Sequence, residues 1–109
     1  MSVVSRAPTA FGRSPEQRLR ALAKANEVRV ARAQLKRGVA AGRIEPAQLV
    51  AEPPSCVETA KVRELLLVVP GIGPLRADRV LARCRIAHTK TIAGLSDRQR
   101  AELVELLAR

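Results

Sequence analysis

The sequence predicts an all-α protein in which one long N-terminal helix precedes a compact set of short helices. The chain of 109 residues is rich in Ala, Leu, Arg and Glu, all good helix formers. Ser14-Pro15-Glu16-Gln17 and Ser96-Asp97-Arg98-Gln99 each place a glutamine three residues after a capping hydroxyl, the capping-box pattern of a helix start. Apolar residues recur at i, i+3, i+4 and i+7 in Val62, Leu65, Leu66 and Val69, and again in Ala77, Val80, Leu81 and Cys84. That spacing lines one face of a helix. No segment alternates as a strand should, and no internal repeat is present.

Residues 1–13 mix Ser, Pro, Thr, Gly and Arg without period and read as a disordered basic tail. Ser14 caps a helix that Pro15 opens, nothing interrupts it before Arg37, and Gly38 supplies the stop. Residues 14–38 therefore form a long basic helix of about 23 residues, roughly 34 Å. Arg18, Ala25, Arg29, Arg32 and Lys36 fall within about 60° of one another on it. Leu19, Leu22, Val30 and Ala33 make only a thin apolar stripe, expected to hold it to a core at a few points. Residues 39–59 are a connector with one or two short helices: Glu45–Val50, opened by Pro46 and ended by Pro53-Pro54, then a turn in Ser55–Thr59. The compact part spans 60–109. It holds a helix ending at Pro70, a second opening at Pro74, a polar connector over Ile86–Leu95, and a last helix with Leu103, Val104 and Leu107 inward.

Basic residues number 20 against 10 acidic ones, and 16 of the 20 are arginine. The first 50 residues carry net +7 and the rest +3, with +5 concentrated in residues 76–100. Arginine's planar fork of donors fits phosphate, so an excess this large points to nucleic acid. With one Phe and no Trp or Tyr, the chain lacks the rings on which single-stranded bases stack. A duplex or a folded RNA held through its phosphates fits better. Cys56 and Cys84 make neither a disulfide framework nor a zinc spacing, and Cys84 reads as a small buried hydrophobe. The N-terminus has no apolar signal segment, and the run Leu65–Pro70 is far too short to cross a bilayer. A cytoplasmic protein is expected.

The densest chemistry lies in Val69-Pro70-Gly71-Ile72-Gly73-Pro74. A glycine-bracketed turn opening a helix leaves amides without intrahelical partners at the positive end of the helix dipole, a ready anion site. Arg76, Arg79 and Arg83 follow at i, i+3 and i+7, with Asp78 the only acid among them.

Several ordered segments resemble the actinobacterial-type integration host factor. These are Pro15-Glu16-Gln17-Arg18, Leu35-Lys36-Arg37-Gly38, Lys61-Val62 with Leu65-Leu66, Pro70-Gly71-Ile72-Gly73, Arg76-Ala77, Ile86-Ala87, Gly94-Leu95 and Asp97-Arg98-Gln99-Arg100. The resemblance implies a helix-two-turns-helix core over 60–109, and a nucleoid-associated protein that binds duplex DNA with little sequence preference. It also implies roles in DNA topology and phage integration. Carried over by position, Gly71, Ile72 and Gly73 would give amides to phosphate with Arg76 beside them. Where the family carries Arg-Arg-apolar-Arg-Gly-Leu, this chain reads Lys90-Thr91-Ile92-Ala93-Gly94-Leu95, and the connector 38–54 with Pro53-Pro54 also departs.

The expected partner is therefore double-stranded DNA, contacted by Gly71, Ile72, Gly73, Arg76, Arg79, Arg83, Thr89 and Lys90, and by Arg29, Arg32, Lys36 and Arg37 of the long helix. A monomer is expected, with no cofactor, metal, membrane or small-molecule substrate. The alternatives are a ribosome-associated or structured-RNA binder, and an enzyme such as a glycosylase or nuclease. Base-flipping chemistry needs a pocket and a catalytic group. Asp78, Asp97, Glu102 and Glu105 read instead as helix-surface residues, and His88 as an exposed loop residue without an evident partner.

Overall fold

The computed structural model describes residues 14–109; the tail anticipated at 1–13 lies outside the described residues. Those residues form five α-helices and one 3-10 turn, with no strand among them. The helices are α1 (Pro15–Ala40), α2 (Pro46–Ala51), α3 (Val62–Leu66), α4 (Pro74–Arg83) and α5 (Asp97–Ala108), and the 3-10 turn is Ser55–Val57. The chain divides into two compact units between Val30 and Ala31.

In the first unit the described residues belong to α1 from Pro15 onward. The expected capping box is present: the Ser14 amide donates to Gln17 Oε1 at 2.9 Å, and the Gln17 amide to Ser14 Oγ at 3.1 Å. The apolar stripe is not an anchor. Leu19 and Leu22 are 67% and 65% exposed and Val30 is 48% exposed.

The second unit holds the core and the last turns of α1. The helix does not stop at Gly38, which stays helical and buried. A Cβ there would meet Ile44 Cδ1 at 2.5 Å, so this glycine serves the packing of the chain reversal. The stop is Gly42, whose φ of +80° only glycine adopts without strain. Around it the Arg43 amide donates to the Gly38 carbonyl at 2.8 Å and the Gly42 amide to the Val39 carbonyl at 3.1 Å, closing a Schellman motif.

The core is aliphatic, with no buried polar side chain among the described residues. Val39, Leu49, Val50, Val57, Val62, Leu65, Leu66, Leu81, Cys84 and Leu103 fill it, with α2 packed on α5 and α3 on α4. Burial pushes the Cys84 thiol upward, which keeps it a neutral packing group. The connector 86–95 contributes more than its polar residues promise: Ile86, Ile92 and Leu95 are buried. It is tied to the start of α3, where the Val62 amide donates to the Lys90 carbonyl at 3.0 Å and the Ile92 amide to the Ala60 carbonyl at 2.9 Å. Helix α3 is shorter than its apolar spacing predicts. After Leu66 the chain tightens into i→i+3 bonds, Val68 to Leu65 and Val69 to Leu66, because Pro70 disfavours helix at the residue before it.

Helices of five and six residues are not stable alone, so tertiary ties hold them. Arg100 on α5 donates to the Val50 carbonyl at 2.7 Å and to the Ile92 carbonyl at 3.0 Å. It joins α5, the end of α2 and the connector. The second capping box is formed as expected, and Gln99 also donates to the Arg85 carbonyl at 2.7 Å. Between α3 and α4, Arg63 Nε donates to Asp78 Oδ1 at 2.9 Å, and His88 Nε2 lies 3.6 Å from the same oxygen. His88 is exposed as expected, but it does have this carboxylate partner. The hydrogen bond from Arg63 holds the Asp78 carboxyl below its ordinary value of 3.8, against a smaller opposing effect of burial.

Replacing Arg100 by Met leaves the Val50 carbonyl without a donor and the Ile92 carbonyl with only the Leu95 amide, and is expected to cost about 1–3 kcal/mol in urea denaturation. A depressed carboxyl pKa contributes stability above the ordinary value and loses it as pH falls through the lowered one. The melting temperature of the native chain should therefore exceed that of Asp78→Asn near neutral pH, with the gap closing below pH 3.8.

Candidate nucleic-acid interface

Val69 to Ile72 forms a tight turn closed by the Ile72 amide donating to the Val69 carbonyl at 3.1 Å. Pro70 and Gly71 occupy its central positions, and Gly71 has φ +86°, the arrangement of a type II turn. The Ile72 amide, expected to face an anion, is thus committed inside the turn.

The amides that follow Pro70, other than that of Ile72, are unpaired among the described residues up to Arg76. The first bond of α4 runs from the Ala77 amide to the Gly73 carbonyl at 2.9 Å. The amides of Gly71, Gly73, Leu75 and Arg76 have no acceptor among the described residues. Pro74 has no N–H to satisfy. Gly73 is the N-cap and supplies no side-chain cap, where Ser, Asp or Asn would stabilise the helix more. Its φ of −90° suits any residue, and a Cβ at 71 or 73 would meet nothing within 4 Å. The fold itself therefore does not require glycine at 73. What glycine keeps clear is the space in front of the unpaired donors.

Buried Ala77 and Leu81 fix this helix start in the core cluster, where α4 packs on α3. Arg76, Arg79 and Arg83 leave the other side of α4, all exposed, and none is within ion-pair distance of a carboxylate among the described residues. Asp78, the one acid on α4, is turned to Arg63. An open groove of about 680 Å³ collects these groups, lined by Ile72, Gly73, Pro74, Leu75, Arg76, Arg79, Val80, Arg83, Leu106 and Leu107. The structure thus brings Ile72, Gly73, Arg76, Arg79 and Arg83 to one place.

The remaining expected contacts lie elsewhere. Lys36 and Thr89 line a second concavity with Lys61, Arg63, Glu64 and His88. Lys36 Nζ is 2.7 Å from Glu64 Oε2. Arg32 donates to the Cys56 carbonyl at 2.9 Å and to the Thr59 hydroxyl at 2.7 Å, tying α1 to the 3-10 turn. Both side chains are engaged with the protein rather than displayed. Arg29 and Arg37 are exposed on α1, and Lys90 is half-buried. Thr91 accepts from the Gly94 amide at 3.2 Å and so shapes the connector.

The free amides of Leu75 and Arg76 lie outside the sequence expectation, which names Gly71, Ile72 and Gly73 as the amide donors. The signal for them is Pro74 at the first helical position, since the next amides of a helix start have no intrahelical acceptor.

Residues 49–107 match the family model described as an S13-like H2TH domain. The integration host factor of Mycobacterium tuberculosis is 38% identical over 92 residues, covering 83% of this chain and 88% of that protein. The integration host factor of Streptomyces coelicolor is 30% identical over 92 residues, covering 83% and 86%. Among solved structures, sIHF bound to an 8-base-pair palindromic DNA superposes with a TM-score of 0.71 at 26% identity, covering 77% of this chain and 97% of that one. The chain belongs to the actinobacterial integration host factor family, with an S13-like H2TH domain as its core.

Proposed function

We propose that this protein is a nucleoid-associated, largely sequence-independent duplex-DNA-binding architectural protein that acts without catalysis. The observation that carries the reading is the set of amides at Gly73, Leu75 and Arg76, which have no acceptor among the described residues and share one groove with the side chains of Arg76, Arg79 and Arg83. Backbone donors at a helix start, in the field of its dipole, suit a phosphate and carry no information about base sequence. Arg76, Arg79 and Arg83 then follow the same phosphate rail. The resemblance to a structure solved with DNA bound supports this choice of partner.

In this reading Arg29, Arg37, Thr89 and Lys90 are supplementary phosphate contacts. Lys36 takes part only if Glu64 releases it, and Arg32 holds the fold. The protein binds as a monomer, with positive charge as its main source of affinity.

Such binding draws on counterion release and weakens steeply with salt. If about six phosphates are neutralised, log K falls against log salt with a slope near −5. Fluorescence anisotropy on unrelated duplexes of about 25 base pairs across a salt series measures it. Arg76→Ala combined with Arg79→Ala should weaken every duplex alike and flatten the slope by about two. A loss confined to one sequence would instead indicate base readout.

A further inference from the structure

We propose that His88 is a proton-controlled phosphate contact: once protonated, it tightens the hold on duplex DNA in mildly acidic solution. This rests on the duplex-binding reading above and adds to it a regulating group outside the groove of α4.

The chain contains one histidine, and imidazole is the side chain whose ordinary titration falls between about pH 5 and about pH 8. His88 and Thr89 occupy the centre of a turn closed by the Lys90 amide donating to the Ala87 carbonyl at 3.0 Å. That turn is anchored, because the Lys90 carbonyl accepts from the Val62 amide at 3.0 Å. From its tip the His88 side chain, 64% exposed, brings Nε2 to 3.6 Å from Asp78 Oδ1. The same oxygen accepts from Arg63 Nε at 2.9 Å. A protonated imidazole donates from both nitrogens, so Nε2 can serve Asp78 while Nδ1 is left for a phosphate.

Charge compensation at the shared oxygen decides what a proton on His88 does. Asp78 carries one negative charge, and Arg63 already balances it. The Arg63 hydrogen bond holds the Asp78 carboxyl below its ordinary value of 3.8, so it stays ionised throughout the range in which histidine titrates. A protonated His88 therefore finds its carboxylate matched, and the three groups together gain one surplus positive charge. The other charged groups lining the same open concavity, of about 550 Å³, are Lys36, Lys61 and Glu64. Lys36 and Glu64 pair at 2.7 Å and cancel. Lys61 is exposed and has no carboxylate within ion-pair distance among the described residues. Lys90, at the end of the turn, is half-buried and does not line the concavity. With His88 neutral, three cations face two carboxylates and the net charge is +1; with His88 protonated it is +2. The surplus doubles beside the exposed Thr89 hydroxyl, so a phosphate seated there meets a donor and the added charge together.

The test measures binding of one DNA duplex by anisotropy across a salt series at about pH 5.5 and about pH 7.5, for the native chain, His88→Gln and His88→Arg. The native chain should bind roughly threefold more tightly at the lower pH. Its salt slope there should be steeper by about 0.9, the mark of one more phosphate neutralised. His88→Gln should lose both changes. His88→Arg, charged at either pH, should keep the steeper slope throughout and show no step between the two. Proton and DNA must favour each other reciprocally, so the imidazole resonances of the native chain should titrate at higher pH with duplex bound than without it. A purely structural role for the side chain would produce no such shift. Coincident melting curves show that the exposed substitutions leave the fold intact. The same pH response in His88→Gln as in the native chain overturns the inference, and so does a native affinity independent of pH; both leave duplex binding standing. Failure of the native chain to bind at either pH removes the duplex-binding reading itself, and this inference with it.

Discussion

The start of α4 is a helix end that the fold leaves unsatisfied: proline at the first position, glycine at the cap, and no side chain that reaches back. Orphan donors at a helix start ordinarily find a capping oxygen or water. Elsewhere the same chain caps well, with hydroxyl and glutamine reciprocating at Ser14–Gln17 and Ser96–Gln99. The contrast is local and chemical. At Gly71–Arg76 the chain gives up a stabilising cap and keeps the approach to the amides open. The rest of the structure fixes that end in space. Ala77, which is fully buried one turn into the helix, lets α4 lie close on the core cluster. The turn before it is closed from within by the Val69 carbonyl.

Charge is divided by task along the chain. Arg32 and Arg100 donate to backbone carbonyls that no helix satisfies, and Arg63 holds α3 to α4 through Asp78. These residues substitute for a larger core in a unit built from very short helices. Arg76, Arg79 and Arg83 have no such partners among the described residues. A high count of arginine therefore overstates the charge available to a partner, and tertiary contacts decide which cations are displayed. Thr91 likewise serves its own loop by accepting from Gly94.

Features set by residues close along the chain are legible in the sequence itself. Both capping boxes are of this kind, as are the apolar faces of α4 and α5 and the turn with its following arginines. Features set by distant partners are not. Gly38 and Gly42 look equally suited to end α1, and only the packing of Ile44 and the φ of Gly42 separate them. Ile86, Ile92 and Leu95 follow no period, so their burial in a polar connector leaves no sequence signal. Leu19, Leu22 and Val30 show a helical stripe, yet they are exposed. The commitment of the Ile72 amide is readable from Pro70-Gly71 at the centre of a turn. The engagement of Arg32 and Lys36 is not, since their partners lie more than twenty residues away.

The most direct test of the proposed phosphate clamp is a titration of uniformly 15N-labelled protein with a short DNA duplex at low salt, followed through backbone amide resonances. The expected result is that the largest shifts fall on the amides of Gly71, Gly73, Leu75 and Arg76, while Ile72, bonded to Val69, moves less. Shifts confined to α1 and the concavity of Lys36, Lys61 and His88, with residues 71–76 unmoved, would contradict it.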